Sequence, residues 1–473
     1  MVAEHYTHNG GGTLRAVRKG HVLARAIVAK FGGSSLADAS KFEAVRQIVL
    51  DDPARRIVVP SAPGKRAQDD HKVTDLLYMS HQLAQHNIDI SDVFCLVAER
   101  FEDIRQNLGL TLDLPTELQR IRERIEQGAS ADYVASRGEY LNGLLLAEYL
   151  GFTFVDAAEV VRFDATGRYD SSQTMELLGQ RLIRDPRVVI PGFYGADAQG
   201  DIHTFSRGGS DVTGAIVARA ARADLYENWT DVSGFLTADP RIADDARPIK
   251  VVTYRELREL SYMGAAVLHE EAIFPVREKG IPIHVRNTGA PDEPGTLIVS
   301  DDPATRNFAM EQALVDHSAA EWNGITGIAG MKDFTVITLD KTLMDDEKGF
   351  LRKLVSVLET NGISIAHVPT GIDSASVVVR TEAVRFKLEK ILAELKIYCH
   401  PDSIKVESGI SLVTVVGRGM VRSPGVAGRV FSALGDAGIN VRMISQGAGE
   451  MSIIIGVDDQ EFDRTVQALH SVV

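Results

Sequence analysis

The feature that most restricts the fold of this chain is an internal repeat near its C-terminus. The segment GFLRKLVSVLETNGISIAHVPTGIDSASVVV, which starts at Gly349, aligns without gaps with GVAGRVFSALGDAGINVRMISQGAGEMSIII, which starts at Gly425. Each copy contains an amphipathic helix pattern, a glycine turn and two apolar runs typical of strands. The period is longer than that of solenoid repeats. The pattern therefore predicts two small α+β domains of βαββ type, at residues 326–400 and 405–473.

The longer region before the repeat shows a different pattern. From Ala26 to about Val299, short runs rich in β-branched residues, such as RRIVVPSA and RVVIPGF, alternate with helix-like stretches. This alternation predicts a three-layer α/β domain with a mainly parallel sheet at residues 26–300. A linker is expected at 301–325, and residues 1–25 are expected to form a flexible extension.

Charge and cysteine content exclude several classes of protein. The net charge of -14 argues against nucleic acid or an anionic membrane surface as the main partner. The two cysteines, Cys95 and Cys399, suggest neither a disulfide framework nor a cysteine metal site. No stretch approaches membrane-spanning length, and Lys30 interrupts the first apolar run too early for an export signal. A reducing, cytoplasmic location is therefore expected.

The segment AKFGGSS predicts a phosphate site. A buried-type strand ends at Lys30, and Gly32, Gly33 and Ser34 follow before a helical pattern that Ser35 or Asp38 could cap. Free backbone N–H groups converge at such a junction, and glycine lets a phosphate approach closely. Lys30 would add a full positive charge. A plain turn with an incidental lysine is the alternative for this segment alone.

The segment HTFSRGGSDVTGAIVARAA repeats this arrangement. A strand pattern leads to Arg207, Gly208 and Gly209, and Ser210 and Asp211 open an apolar helix pattern. Arginine can bind a carboxylate or phosphate through two parallel hydrogen bonds. Two such junctions in one α/β domain favour one site for phosphates and one for an acceptor.

The chain contains, in this order, the segments KFGGSS, SRGEYLN, SRGGSD, WTDVSGFLTADPR and MGAAVLH. Together with the two repeats that follow them, these segments resemble the aspartokinases of the amino-acid kinase superfamily. The resemblance runs from about Val28 to the C-terminus and implies an amino-acid kinase domain followed by two ACT domains. It implies transfer of the γ-phosphoryl group of ATP to the β-carboxylate of L-aspartate, for lysine, threonine and methionine biosynthesis. A homoserine dehydrogenase domain is not expected after the second repeat.

The resemblance also implies roles for individual residues at the reacting centre. Lys30 would contact the transferred phosphoryl group, with Gly32, Gly33 and Ser34 around the phosphate oxygens. The acceptor site would comprise Thr74, Glu139, Arg207, Gly208, Gly209 and Ser210. In it, Arg207 would bind a carboxylate of aspartate and Glu139 its ammonium group. Asp211 would organise either Lys30 or the metal-nucleotide, and simple helix capping is its alternative role.

The nucleotide site implied by the resemblance departs from the family pattern. Its residues would be Thr230, Asp231, Leu236, Arg241, Ala266 and Val267, in addition to Lys30 and its glycines. Many relatives carry a lysine at the position of Ala266 and a tyrosine at that of Leu236, and Ser206 replaces a glycine. A second phosphate cation must then be Arg241 or Lys250, or be absent. Mg²⁺ would arrive with ATP, so no protein metal cage is expected.

The resemblance finally implies an allosteric site for lysine and/or threonine in the first repeat. It would be formed by Met344, Asp345, Asp346, Gly349, Phe350, Leu351, Ser364, Ile365 and Ala366 at the interface of an ACT-paired homodimer, or of a tetramer. The acidic trio Asp345, Asp346 and Glu347 would attract the lysine ammonium group. The equivalent loop of the second repeat, MVRSPGV, is basic.

Two other functions remain alternatives at this point. A kinase of the same superfamily could act on glutamate, acetylglutamate, carbamate or a nucleoside monophosphate, although SRGEY and the tandem repeats are not expected there. A catalytically silent amino-acid sensor could keep the same fold. The joint presence of Lys30, Arg207 and Asp211 argues against the sensor.

Overall fold

The computed structural model of the chain describes residues 26–206, 208–265, 268, 274–302, 324–447, 449 and 451–473. Several sequence-based predictions lie outside these residues: the extension at 1–25, Arg207, Ala266, Val267, and the linker between 303 and 323. No helix among the described residues has both the length and the apolar character needed to cross a membrane.

An eight-stranded sheet with the order β3-β4-β2-β1-β7-β9-β10-β8 forms the centre of the first domain. Its strands are β1 (Ile27–Phe31), β2 (Arg55–Pro60), β3 (Thr153–Phe154), β4 (Val188–Val189), β7 (Leu225–Thr230), β8 (Val251–Thr253), β9 (Ile283–Asn287) and β10 (Thr296–Val299). Neighbouring strands are parallel except for β9 and β10. Every residue of β1 is buried, as expected in a parallel sheet covered on both faces.

Helices surround this sheet, some in contact with its strands and others packed on those helices. They are α1 (Ala39–Asp51), α2 (Val73–Gln85), α3 (Ser91–Asn107), α4 (Leu114–Glu126), α5 (Ala131–Leu150), α6 (Ala157–Val160), α7 (Ser171–Arg184), α8 (Gly209–Ala221), α9 (Tyr254–Tyr262) and α10 (Phe274–Arg277). Helix α8 contacts β1 and β7, and α5 contacts β2 and β4. The predicted α/β domain with a mainly parallel sheet is confirmed. The run DIHTF differs, because its strand β6 (Ile202–Thr204) pairs with β5 (Tyr194–Ala196) in a separate hairpin.

The two repeats share one antiparallel sheet with the order β12-β13-β11-β14-β16-β15. Its strands are β11 (Gly327–Asp340), β12 (Ile365–His367), β13 (Ser374–Arg380), β14 (Ser403–Val416), β15 (Met443–Gln446) and β16 (Ser452–Asp458). The helices are α11 (Phe350–Thr360), α12 (Thr381–Val384), α13 (Leu388–Cys399), α14 (Val426–Asp436) and α15 (Phe462–His470). The prediction of two α+β repeats is confirmed.

Equivalent positions of the repeats adopt the same backbone conformation. Gly349 and Gly425 have φ values of 85° and 86°, and each precedes the first helix of its repeat. The repeats differ from the predicted βαββ pattern in two ways. Each has a further helix, α13 or α15, after its last strand. In addition, β11 and β14 pair along their whole length, so each strand lies partly in the sheet of the other repeat.

Candidate active site

Two buried side chains, Lys30 and Asn228, meet the partly buried Asp211 at the centre of the large sheet. Lys30 Nζ lies 2.5 Å from Asp211 Oδ1, and Asn228 Nδ2 donates to the same oxygen at 3.0 Å. Strands β1 and β7 run side by side with Lys30 opposite Asn228. Parallel pairing therefore places an amine and an amide next to each other, and Asp211 approaches both from α8.

Asp211 lies in the first turn of α8, whose N-cap is Gly208 with φ of 56°. No side chain within the described part of the chain caps this helix end, so its first N–H groups can bind an anion. The N-cap position belongs to Gly208, and the Asp211 carboxylate is directed at Lys30. Of the two organising roles considered for Asp211, the geometry directly supports the one that positions Lys30.

The glycine loop after β1 is held by two close backbone contacts. The Gly32 N–H donates to the Trp229 carbonyl at 2.9 Å, and the Gly64 N–H donates to the Gly33 carbonyl at 2.8 Å. A Cβ atom at Gly33 would lie 2.7 Å from the Ala62 carbonyl oxygen, so a larger residue does not fit there. Ser34, partly buried, follows in the same loop.

The structure of this loop differs in detail from the sequence-based expectation. The glycines lead into a short 3₁₀ turn, Gly33–Leu36, and α1 begins only at Ala39. Asp38 is the N-cap of α1 and accepts the Lys41 N–H. The Ser35 hydroxyl instead bonds Thr288 at 2.7 Å. The amide groups directly after the glycines therefore belong to the 3₁₀ turn and not to the helix.

Glu139 is a buried carboxylate beside this loop. Burial raises the pKa of Glu139 to about 8, although the Ala62 N–H and the charges of Arg137 and Lys30 favour its ionised form. Its Oε2 atom has no hydrogen-bond partner among the described residues. A buried carboxylate with an open oxygen is costly unless a cation pairs with it. The position is thus suited to an ammonium group.

Helix α2 lies across from Glu139. Thr74 is partly buried in its first turn. One turn later, burial and then the charges of Asp132 and Glu139 raise the pKa of Tyr78. The charge of Glu139 therefore reaches α2, and a common site for Thr74 and Glu139 stays a prediction.

The residues at the start of α8 pack closely against Phe193. Arg207 is outside the described residues, whereas Gly208, Gly209 and Ser210 are within them. A Cβ atom at Gly209 would lie 2.5 Å from the Phe193 ring. Phe193 itself has φ of 79°, and its N–H donates to the Thr213 hydroxyl. Left-handed backbone at a non-glycine residue is strained and is frequently found at functional sites.

A cavity of about 980 Å³ begins at the end of β7. Asp231, Leu236 and Arg241 line it, together with the segment from Met263 to Ala265. Thr230, immediately before, bonds the Asp231 carboxylate. Of the predicted nucleotide residues, Asp231, Leu236 and Arg241 thus line one space, whose size is typical of ligand sites. Lys30, Gly32, Gly33, Ser34 and Thr230 are not part of its lining.

The sequence offers Arg241 and Lys250 as candidates for a second cation at the phosphates, and only one of them lines the cavity. Arg241 lines the cavity, but its guanidinium binds Asp239 at 2.6 Å and is 87% exposed. Lys250 does not line the cavity. The described lining also includes residues that were not predicted from the sequence. They come from the six-stranded sheet of the two repeats, called the regulatory sheet below, and from its last helix, α15: Ile328, Ala329, Gly330, Lys332, Phe462, Asp463 and Val466.

The predicted effector residues fall into two groups. The first surrounds the end of β11: Met344 and Phe350 are buried, whereas Asp345, Asp346, Gly349 and Leu351 are exposed. Glu347, the third acidic residue of this loop, is already bound by Lys341 at 2.9 Å and Lys353 at 2.7 Å. Only two carboxylates of the trio are therefore directed to solvent.

The second group comprises Ser364, Ile365 and Ala366 at the start of β12. Ile365 pairs with Val379, near the end of β13, whereas the first group lies beside Ser374 at its beginning, which pairs with Asp340. Five residues of strand separate these positions by about 17 Å. Along the strand the two groups therefore lie apart in one chain, although Ile365 packs against the same core cluster as Met344 and Phe350.

Sequence matches agree with this architecture. Residues 25–287 match the amino acid kinase family, and residues 413–473 match the ACT domain. The chain is 36% identical over 461 residues to aspartokinase 3 of Bacillus subtilis (strain 168), an alignment that covers 94% of this chain and 97% of the other.

Solved structures are similar over nearly the whole length. Aspartate kinase of Clostridium acetobutylicum, described as an allosteric enzyme, has a TM-score of 0.85 and 46% identity, covering 95% of this chain and 100% of that one. Aspartokinase III of Escherichia coli with aspartate and ADP, in its R-state, has a TM-score of 0.70 and 27% identity, with coverage of 95% and 100%. The same enzyme with lysine and aspartate, in its T-state, gives 0.69 and 28%, with coverage of 95% and 99%.

Proposed function

The chain belongs to the aspartokinases of the amino acid kinase family, and on that basis we propose that it phosphorylates the β-carboxylate of L-aspartate with ATP. The products are 4-phospho-L-aspartate and ADP. The E. coli relative binds aspartate and ADP. In this chain, the glycine loop follows the end of β1 and a nucleotide-sized cavity begins at the end of the parallel strand β7.

The assignment of the acceptor rests on Glu139. Its open oxygen is buried next to the phosphate loop and close enough to Lys30 for that charge to act on it. An acceptor with an ammonium group would pair with Glu139 while its carboxylate faces the phosphate site. An α-amino acid with a short acidic side chain has both groups.

The transfer itself requires charge neutralisation and positioning more than covalent chemistry. A β-carboxylate oxygen of aspartate forms a bond to the γ-phosphorus, and the bond to the β,γ-bridging oxygen breaks, leaving its electron pair on ADP. The attacking carboxylate is already ionised, so no general base is needed. Lys30 stabilises the negative oxygens of the transferred group, and Asp211 together with Asn228 fixes the position of Lys30.

Mg²⁺ is expected to accompany ATP. Within the described ranges, no group of three or more His, Cys, Asp or Glu side chains could hold a metal ion. Mg²⁺ in complex with a nucleotide is held mainly by phosphate oxygens and water. Asp231, in the lining of the cavity, and Asp211, beside Lys30, are the carboxylates that would contact its water shell. Bound there, Mg²⁺ would neutralise charge on the phosphates.

The regulatory proposal is inhibition by lysine, with or without threonine, at a site shared between two copies. The E. coli relative binds lysine in its T-state. In this chain, Asp345 and Asp346 are exposed beside α11, and the start of β12 lies at the far end of the same repeat. Pairing of two copies through the ACT repeats would join the loop of one with the strand of the other.

A hydroxylamine-trapping assay tests the acceptor assignment. ATP, Mg²⁺ and each candidate acceptor are mixed with the protein, and acyl hydroxamate is measured. Aspartate should give product and glutamate little, because an added methylene moves the reacting carboxylate out of in-line geometry. Equal turnover of glutamate would reject aspartate as the specific acceptor, and no turnover of any acceptor would favour a silent sensor.

A further inference from the structure

The nucleotide cavity has one wall from each part of the protein. The kinase wall contains Asp231 and Arg241, and the regulatory wall contains Lys332 from β11 and Asp463 from α15. Gly264 packs directly on this wall, because a Cβ atom there would lie 3.2 Å from Met331 Cγ. The regulatory sheet is therefore part of the boundary of the cavity.

The charges of the cavity lining are unbalanced for a nucleotide. Four carboxylates line the described part of the cavity, whereas Arg241 and Lys332 are the cations that do so. The Arg241 guanidinium donates to both carboxylate oxygens of its neighbour Asp239. A phosphate chain that enters this space needs a cation that can move towards it.

Lys332 can make this movement. Its ammonium group lies 3.0 Å from Asp463, but the two side chains are 44% and 59% exposed. It also lies 4.9 Å from the centre of the Phe462 ring. Exposed ion pairs contribute little to stability, so exchange of Asp463 for a phosphate oxygen has a small cost.

The backbone position of Lys332 is unusual. It lies in the irregularity of β11 between Met331 and Phe334, where the strand passes from the sheet of one repeat to that of the other. The next residue, Asp333, has φ of 68°, and Arg380 from the first repeat donates to the Lys332 carbonyl. A change in the angle between the repeats would move this lysine.

We propose that Lys332 binds the phosphate chain of the nucleotide and so makes the regulatory sheet part of the ATP site. The inference rests on the proposed function, since it requires the nucleotide to occupy this cavity. It provides a phosphate cation in a chain whose sequence has Ala266 where many relatives carry a lysine. It also gives the regulatory repeats a direct contact with the substrate, so that their arrangement changes nucleotide affinity.

Calorimetric titration of the full chain with ADP and with adenosine, both in Mg²⁺, tests the proposal. Lys332→Gln should weaken ADP binding about three- to tenfold, the effect of losing one charge-assisted hydrogen bond at a partly exposed site, and leave adenosine binding unchanged. Asp463→Asn should strengthen ADP binding or leave it as it is. Lys390→Gln serves as the matched control, since Lys390 is a lysine with 65% exposure paired to Glu394 on α13.

Each result has a definite meaning. Unchanged ADP binding in Lys332→Gln overturns the proposal, as does an equal loss of adenosine and ADP binding, which would place Lys332 at the nucleoside. An equal effect of Lys390→Gln would reduce the finding to general surface charge and also overturns it. Because binding is measured without aspartate, a failure of the acceptor assignment leaves this test intact and is recognised by the hydroxamate assay.

Discussion

Lys30 and Asn228, on adjacent parallel strands, hold the same oxygen of Asp211, at 2.5 Å and 3.0 Å. The amine alone could rotate about its long side chain. A carboxylate fixed by a second, rigid donor restricts that motion. The geometry of the three residues therefore fixes the position of the Lys30 ammonium group relative to the glycine loop.

Removal of the Lys30 amine should abolish most of the catalysis. We expect Lys30→Ala to lower kcat by about a hundredfold or more, because a charge-neutralising group is lost from the transition state. Steady-state kinetics with saturating ATP and aspartate measures this, and circular dichroism checks the fold. A folded variant with nearly normal kcat would mean that AKFGG is only a turn.

Asn228 should affect kcat more than KM. Asn228→Leu removes one hydrogen bond to a charged group while keeping a similar volume, so a loss of about tenfold in kcat is expected. KM for aspartate should change about twofold or less, because Asn228 bonds Asp211 and is not among the residues of the proposed acceptor site. A large rise in KM with unchanged kcat would contradict this positioning role.

The ionisation of Glu139 should govern the pH dependence of aspartate use. Since burial raises the pKa of Glu139 to about 8, its carboxyl group is mostly protonated below that pH in the free protein. We expect kcat/KM for aspartate to rise with pH up to about 8 and then level off. Glu139→Gln should lose this rise and increase KM about tenfold or more. An unchanged pH profile in the variant would assign the titration to another group.

The same residue should lower stability at alkaline pH. A carboxyl group with a raised pKa in the folded state contributes stability that is complete below its ordinary pKa and is lost as pH rises through about 8. Glu139→Gln should therefore raise Tm relative to the unmodified chain at pH 9 by a few degrees, and by less at pH 5. Differential scanning fluorimetry without ligands measures the difference. A Tm gain that is independent of pH would contradict the assignment.

Asp346 should be needed for the response to lysine. Activity is titrated against lysine, threonine and their mixture, and Asp346→Ala should shift inhibition by lysine to concentrations about tenfold higher. Asp463→Asn is not a suitable control, because Asp463 lines the cavity. Glu389 is an exposed acidic residue on α13, so Glu389→Ala is the matched control variant. If threonine alone inhibits and Asp346→Ala behaves as wild type, only the lysine assignment fails. If no combination at millimolar concentration acts, regulation itself is rejected.

The junction between the two domains contains a buried ion pair. Glu256, fully buried on α9, binds Arg418 at 2.9 Å and also accepts from Thr326. Burial acts against its charge, yet Arg418 and the hydrogen bonds hold the pKa of Glu256 below its usual value. Arg418→Met should lower the unfolding free energy by about 3 kcal/mol, because it leaves a carboxylate buried without its cation.

Denaturant unfolding of Arg418→Met and of the double variant Glu256→Leu/Arg418→Met measures this effect. The double variant should recover most of the loss, since both charges are then removed. Because the pKa of Glu256 is lowered in the folded state, its contribution is lost as pH falls through that lowered value. A single variant as stable as the unmodified chain would show that the pair contributes nothing.

Local sequence patterns predicted the elements that depend on local physics. The glycine junctions after β1 and before α8 are readable because strand, glycine and helix signals are contiguous. Asn228 was not predicted, because only the pairing of two distant strands places it opposite Lys30. A polar pair, Glu227 and Asn228, within the apolar run of β7 was the available signal.

The regulatory wall of the cavity could not be predicted for a related reason. Lys332 and Asp463 are separated from Asp231 by long stretches of chain, and only tertiary packing joins them. The shared pairing of β11 and β14 was equally hidden, because each repeat alone has a complete helix and strand pattern. The sequence predicted both repeats as units but not the strand by which each completes the other.

That reciprocal pairing limits how the regulatory half can be exchanged by recombination. The beginning of β11 supplies the outer neighbour of β14 in the second repeat, and the beginning of β14 does the same for β11 in the first. A graft of either repeat alone into another enzyme would expose two unpaired strand edges, which favour aggregation. The transferable module is therefore the interlocked pair, and a chimera should be cut before Gly327 rather than between the repeats.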